Sequence, residues 1–192
     1  MAVPVAHESE QVLAAKEQFS RVGLDGLHGL RDEDALLLGK AILIFSFNEL
    51  NLRRLVEILC EKGFLQPQKK FQTSELVEKV KDGVAKAFPS DSHLSDDLAR
   101  LDEIEFRRPF RNMFAHWAAK RLDGMDSIVF MTKDFKDEKA VHGLNTSNTY
   151  GVTFSVMMVE DIRGLLNNIV EFGGWLALRT QHWHLAMGGG DP

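Results

Sequence analysis

Apolar residues recur at three- and four-residue steps along five segments of the chain, the spacing that places side chains on one face of an α-helix. In the longest of these segments the stripe is followed by Gly63, a residue type that commonly follows a helix end. The predicted helices cover residues 8–19, 32–61, 73–88, 95–122 and 158–184. The pattern therefore predicts a mainly α fold, a bundle of about five helices.

The periodicity changes between residues 127 and 156. Segments 127–132 and 150–155 are rich in β-branched and aromatic residues, which are typical of strands. The polar stretch between them is too long for a tight hairpin turn, and we interpret His142 within it as a loop histidine. The sequence predicts a small two-stranded β-ribbon inserted before the last helix.

The chain is long enough for one domain with a sizeable core. Its 192 residues are 44% hydrophobic and 27% charged, an ordinary globular composition. Three closely spaced glycines before residue 31 predict a loop. We therefore expect residues 1–30 to form a peripheral N-terminal segment or loose arm. We expect the helical domain to span 31–186 and a flexible tail to follow over 187–192.

Charge and cysteine content narrow the class of protein. No uninterrupted apolar run of membrane-spanning length and no basic-then-apolar leader is evident, so we expect a cytoplasmic protein that does not insert into membranes. A net charge of −5 disfavours broad, nonspecific nucleic-acid binding but leaves room for a local basic site. The single cysteine, Cys60, falls in a helical apolar pattern and is expected to be a buried structural thiol rather than a nucleophile.

The chemistry of the chain is concentrated in one short stretch, Arg111-Asn112-Met113-Phe114-Ala115-His116. At 100° per residue, Asn112 and His116 lie on one helical face, while Phe110, Phe114, Trp117 and Ala118 lie on the opposite, apolar face. Arg111 lies between the faces, and its long stem can carry the guanidinium toward the imidazole. The three polar groups can together hold and cleave a phosphodiester.

Pro109 precedes this stretch by two residues. Proline is unfavourable inside a helix but suits the first turn, so it predicts that the helix restarts or kinks there. A restart would place Arg111 and Asn112 at a positive helix end, where free amide groups favour a phosphate.

Basic residues flank the polar stretch on both sides. Arg107, Arg108 and Lys120 are candidates for binding a polyanionic substrate. Glu103 and Glu105 dilute this charge, so a solvated face of mixed charge is the alternative interpretation.

The Arg-Asn-x-x-x-His stretch resembles the motif of the HEPN superfamily, in which an arginine and a polar residue precede a histidine in a helical bundle. The succession of a long early helix, a motif-bearing helix, a β-like insertion and a final long helix is also similar over roughly 32–180. The resemblance implies a metal-independent endoribonuclease without a cofactor. It further implies a homodimer whose two motifs face one cleft, often a toxin or phage-defence effector.

The resemblance also bears on Glu49, which interrupts the apolar stripe of the early helix and needs a partner. It could support the site by orienting Arg111 or His116, as acidic residues on an early helix do in some HEPN proteins. Alternatively, Glu49 pairs with Arg53 four residues later, near the surface.

RNA carries its own nucleophile, the 2′-hydroxyl, and cleavage needs only proton transfer and charge neutralisation. His116 suits the proton transfer and Arg111 suits the phosphate oxygens, with Asn112 positioning either. We therefore expect cleavage of single-stranded RNA without a metal, and leave open an antitoxin-like partner protein.

Two other functions remain open. In one, a non-catalytic HEPN-like module binds a nucleotide, RNA or protein through the same face. In the other, the chain is a structural scaffold in which Arg111 pairs with an acidic residue such as Glu49 or Glu105.

Overall fold

A computed structural model describes residues 9–68, 71–133 and 152–188. In these ranges the chain forms five α-helices and a four-stranded antiparallel sheet. The helices are α1 Glu10–Val22, α2 Asp32–Glu61, α3 Leu76–Ala87, α4 Leu94–His116 and α5 Val159–Ala186, and the strands are β1 Leu27–His28, β2 Ala118–Leu122, β3 Ser127–Thr132 and β4 Thr153–Met158. The predicted mainly α fold is confirmed, but the ribbon has four strands rather than two. His142 and residues 189–192 of the predicted tail lie outside the described residues.

Helix α2 begins and ends where its apolar periodicity predicts. The Asp34 carboxylate accepts the backbone N–H of Arg31 at 3.0 Å, which satisfies a donor at the start of the helix. By length and composition α2 could cross a membrane, since an 18-residue window has a mean hydropathy of 1.4. We expected no such segment from the sequence. The core helix of a soluble protein passes the same test, so this finding assigns no location.

The chain divides into two compact units, and the divisions fall within α2, α4 and α5. Unit 1 comprises Met1–Ile42 and Arg108–Asn167, and unit 2 comprises Leu43–Arg107 and Asn168–Pro192.

Unit 1 is organised around the sheet, whose strand order is β1-β2-β3-β4. Helix α1 packs on one face, where Ala15 is fully buried against Val129 and Val156. On the other face, the ring of Phe114 from α4 lies 5.5 Å from that of Phe130. The loose arm that we expected at the N-terminus is therefore wrong for residues 10–28, because α1 buries its apolar side and β1 pairs with β2.

Unit 2 is a helical core. Apolar side chains from α2, α3, α4 and α5 form one buried cluster, which includes Leu55, Leu59, Val80, Val84, Leu101, Leu176 and Trp183. Gly83 of α3 allows close helix packing, because a Cβ there would lie 2.6 Å from a methyl of Leu59.

Helix α4 differs from its prediction at two points. It continues through Pro109 without a restart, and it ends at His116 rather than near Leu122. Residues 118–122 have helix-forming side chains, but hydrogen bonding to β3 makes them strand β2. Tertiary pairing overrides local propensity here.

Candidate functional site

The motif occupies the last two turns of α4 in unit 1. Its apolar side is anchored, because Met113 is fully buried and Phe114 and Trp117 are nearly so. The backbone N–H of Trp117 donates to the Met113 carbonyl at 3.0 Å and closes the last turn. The predicted apolar face is thus confirmed for Phe114 and Trp117, whereas Ala118 is exposed on β2.

The polar side of the same turns brings the three motif residues together. Nη1 of Arg111 donates to Oδ1 of Asn112 at 3.3 Å and lies 3.5 Å from Nε2 of His116. Asn112 is half-buried and His116 is exposed to solvent. One guanidinium nitrogen therefore lies within hydrogen-bonding range of both an amide and an accessible imidazole.

The charge of Arg111 is not neutralised by a carboxylate among the described residues of its unit. Its guanidinium contacts the amide of Asn112 and the imidazole of His116, and its Nε is buried without a hydrogen-bond partner in the described part of the chain. Two other arginines illustrate the difference. Arg121 donates to Asp34 and Asp126, and Arg163 pairs with Glu160. An unneutralised guanidinium beside a histidine is what anion recognition requires.

The backbone does not add to this anion site as predicted. Because α4 runs through Pro109, Arg111 and Asn112 are interior helical residues and their amides are not free. His116 is the last residue of α4, where the helix dipole presents its negative end. The prediction of a positive helix end at Arg111 is therefore wrong, and side chains alone must attract a phosphate.

The tautomer of His116 follows from this contact if Arg111 donates to it. Nε2 is then the acceptor and the proton is on Nδ1. A phosphate that took over the Nη1 donor of Arg111 would release Nε2 to accept a proton. The arrangement can thus pair anion binding with general base chemistry.

Glu49 lies in unit 2 and forms a local ion pair. Its carboxylate accepts from Nη2 of Arg53 at 2.8 Å and from Nε of Arg53 at 3.1 Å. The Thr73 hydroxyl also donates to it at 3.1 Å. The alternative in which Glu49 pairs with Arg53 is confirmed, and its supporting role toward Arg111 or His116 stays a prediction.

The three flanking cations are in different settings. Arg107, in unit 2, pairs with Glu103 at 3.0 Å, as the mixed-charge interpretation expected, and lies over the Phe172 ring. Arg108, in unit 1, is half-buried. Lys120 is exposed on β2 opposite Val129, on the sheet face that carries α1 rather than α4. The substrate-binding role of these three side chains stays a prediction.

A second polar feature of unit 1 had no sequence signal. A cleft of about 560 Å³ is lined by residues near strand β1 and the β2–β3 turn, including His28, Arg31, Arg121, Asp123 and Asp126. Within it Arg121 is nearly buried and held by Asp34 at 3.0 Å and Asp126 at 2.5 Å. Asp34 is 87 residues away along the chain, so no local pattern could reveal the pair.

Cys60 is half-buried rather than buried as predicted, and it packs against the helical core of unit 2. Burial and the carboxylates of Glu57 and Glu61 raise the pKa of its thiol above the ordinary 9.0. The thiol donates to the Gln66 carbonyl at 3.8 Å. A protonated thiol is a poor nucleophile at neutral pH.

Comparison with known proteins adds no relative, because no family model, curated protein or solved structure matches the chain.

Proposed function

We propose that the chain is a metal-independent endoribonuclease that cleaves single-stranded RNA through Arg111, Asn112 and His116. One observation carries the proposal. The guanidinium of Arg111 lies 3.5 Å from Nε2 of His116, and no carboxylate of the described part of its unit neutralises it. An anion-binding group and a proton-transfer group thus share one accessible position.

The reaction needs these two groups in sequence. Arg111 binds the non-bridging oxygens of the scissile phosphate, which leaves Nε2 of His116 free. His116 takes the proton of the 2′-hydroxyl as its oxygen attacks phosphorus. Negative charge then grows on the phosphate, where the fixed charge of Arg111 stabilises it. The bond to the 5′-oxygen breaks, that oxygen takes a proton from water, and His116 returns its proton to the solvent. The products carry a 2′,3′-cyclic phosphate and a 5′-hydroxyl.

Asn112 has a positioning role in this proposal. Its Oδ1 accepts from Nη1 of Arg111, so the amide holds the guanidinium near the imidazole. The buried Nε of Arg111 restricts the base of the guanidinium further. Both features limit its freedom before substrate binds, which lowers the entropic cost of binding.

The test is an incubation of purified protein with mixed-sequence single-stranded RNA in EDTA, followed by analysis of fragment ends. We expect cyclic-phosphate ends from wild type and, over the same incubation, at least about 100-fold fewer from His116→Ala. EDTA-sensitive cleavage, or equal cleavage by His116→Ala, would contradict the mechanism.

A non-catalytic module that binds a nucleotide, RNA or protein through the same residues is the second candidate. The net charge of −5 favours it, because a nuclease acting on long polyanions usually has a basic surface. It predicts saturable RNA binding that Arg111→Gln weakens, without turnover.

The biological setting rests on the HEPN resemblance alone. It suggests a cytoplasmic toxin or phage-defence effector that acts as a homodimer, with a neutralising partner protein as a further proposal.

A further inference from the structure

Helix α2 exposes a row of apolar side chains between two cations, Lys40 and Arg54. The exposed positions between these two residues carry apolar or hydroxyl side chains and no carboxylate. They are Leu43, Ser46, Phe47 and Leu50. Both cations and the three large apolar residues follow one another at three- and four-residue steps, so they share one face of the helix.

Helix α5 adds a second exposed apolar row, which consists of Val170, Leu178 and Leu185. The helices are in contact, because a Cβ at Gly173 of α5 would lie 2.7 Å from Oδ1 of Asn48 and 3.9 Å from the Phe47 ring. The six large apolar side chains of both rows are between 41% and 70% exposed. Together they present roughly 600 Å², the upper end for the largest apolar patch of a typical monomer. We call these six side chains, with Lys40 and Arg54, the α2/α5 face.

The opposite side of α2 is buried in the protein. Leu55, Val56 and Leu59 are fully buried and belong to the helical core of unit 2. Although α2 is long and apolar enough to cross a bilayer, a helix that keeps one side in a protein core offers only its exposed stripe to a lipid phase. A membrane could therefore contact α2 only if the helix lay in the membrane plane.

The charges of this face favour an anionic partner. Within the described part of the chain neither Lys40 nor Arg54 forms an ion pair, whereas the adjacent Arg53 is held by Glu49 at 2.8 Å. The exposed positions from 40 to 54 on α2 and from 170 to 185 on α5 include these two cations and one carboxylate, Glu171. The next exposed carboxylate on α2, Glu57, follows Arg54 by three residues.

The face thus has an excess of positive charge, although the whole chain has a net charge of −5. Two copies of the face would bring like charges together, whereas an anionic surface would meet opposite charges. Exposed leucine and phenylalanine side chains flanked by lysine and arginine are typical of helices that lie on anionic lipid.

We propose that the α2/α5 face binds the surface of an anionic phospholipid membrane, with α2 in the membrane plane. Leu43, Phe47 and Leu50 then enter the boundary between headgroups and acyl chains. Lys40 and Arg54 are about 21 Å apart along the helix at 1.5 Å per residue, and their long side chains reach the lipid phosphates. Binding through one apolar patch and two cations is reversible. The inference goes beyond the proposed function, since it would hold for a chain that cleaves nothing.

Co-sedimentation of the full chain with lipid vesicles, without RNA, measures this binding. The test vesicles contain three parts phosphatidylcholine to one part phosphatidylserine, and vesicles of phosphatidylcholine alone are the comparison. We expect binding to the mixed vesicles that weakens as the salt concentration rises, because salt screens the attraction between the cations and the lipid.

A double substitution of the two cations tests the role of charge. Lys40→Gln with Arg54→Gln should lower partition onto the mixed vesicles roughly 30-fold, since each cation near an anionic surface contributes about fivefold. Lys86→Gln with Arg163→Gln is the matched control, because it changes the net charge equally at side chains that are 55% and 52% exposed outside the face. The control should leave partition within about twofold, since distant charges are screened.

A second double variant tests the apolar contact. Leu43 and Leu178 are the most exposed leucines of the face, and glutamine suits a helix about as well as leucine does, so Leu43→Gln with Leu178→Gln should keep the fold. It should lower partition roughly 10-fold or more, because apolar area is lost from the membrane contact. Leu13→Gln, at an exposed leucine of α1, is the control and should bind as wild type does. Circular dichroism checks the fold of every variant.

Four results would overturn the inference. The first is a wild type that does not bind the mixed vesicles, and the second is equal binding to vesicles with and without phosphatidylserine. The third is an equal loss in the cation variant and its control. The fourth is a wild type that forms dimers in sedimentation equilibrium which Leu43→Gln with Leu178→Gln dissociates, since that would assign the face to a second copy.

Discussion

Among the residues that the structure describes, each of the two units has a helical arginine–histidine pair. In unit 1, Nη1 of Arg111 lies 3.5 Å from Nε2 of His116 at the end of α4. In unit 2, Nη1 of Arg179 lies 3.3 Å from Nδ1 of His182 on α5. The residue types and distances are nearly the same, and both histidines are exposed.

The acidic residues around the two pairs differ. Arg179 donates to Asp91 and Asp97, and its guanidinium lies 5.1 Å from the centre of the Trp183 ring. Its charge is used to hold the start of α4 to α5. Among the described residues of unit 1, the guanidinium of Arg111 contacts Asn112 and His116 and no carboxylate. The neighbours of an arginine, rather than the arginine–histidine pair itself, therefore decide whether the arginine stabilises the fold or is available to bind a ligand.

The largest expected difference concerns the two histidines. Replacement of His116 with alanine should lower RNA cleavage about 10²–10⁴-fold, because general acid–base catalysis is lost. His182→Ala should leave cleavage within about twofold, because Arg179 is already neutralised and the histidine is on the surface. Initial rates of RNA cleavage in EDTA measure both. Equal losses in the two variants would remove the functional distinction between the pairs.

Substitution of Arg111 should mainly affect RNA cleavage, whereas substitution of Arg179 should mainly affect the stability of the fold. Arg111→Gln should lower cleavage about 10²–10³-fold with a small change in the free energy of unfolding. Arg179→Gln should lower the free energy of unfolding by about 3 kcal/mol, because Asp97 is left nearly buried and unpaired. Urea unfolding followed by circular dichroism checks the stabilities. If Arg111→Gln lost as much stability as Arg179→Gln, Arg111 would also be a residue that stabilises the fold.

The smallest effect is a pH dependence in unit 2. The backbone N–H of His93, followed by the charge of Arg179, lowers the pKa of Asp91 below its ordinary 3.8. A lowered carboxyl pKa stabilises the fold above the unfolded value, and this contribution is lost as the pH falls through the folded pKa. We expect wild type to lose more stability than Asp91→Asn below about pH 3.8. Urea unfolding at stepped acidic pH measures the difference. If the free energies of unfolding of wild type and Asp91→Asn changed with pH in parallel, the Asp91 carboxylate would not contribute to the stability of the fold.

The long helices were predictable because their information is local. Helices α2 and α5 follow the 3.6-residue period over some eight turns, and their observed ends lie within a few residues of the predicted ones. Strands β1 and β2 were not predictable. β1 has two residues, and β2 is built of Ala, Lys, Arg and Leu, which form helices unless another strand pairs with them.

The candidate site was partly predictable for the same reason. Arg111, Asn112 and His116 lie within six residues of one helix, so helical geometry alone brings them together. The pairs of Arg121 with Asp34 and of Arg179 with Asp91 join residues more than 80 positions apart. The predicted helix restart at Pro109 was wrong because a proline can remain inside a helix when the surrounding packing holds it.

The central claim is that Arg111 and His116 act on the same phosphate, and a double-mutant cycle tests it most directly. RNA cleavage rates would be measured in EDTA for wild type, Arg111→Gln, His116→Ala and the double variant. Residues that act as one unit are strongly non-additive, so the double variant should cleave about as slowly as the slower single variant. Losses that multiply would contradict the account, because they would show that the two residues act independently.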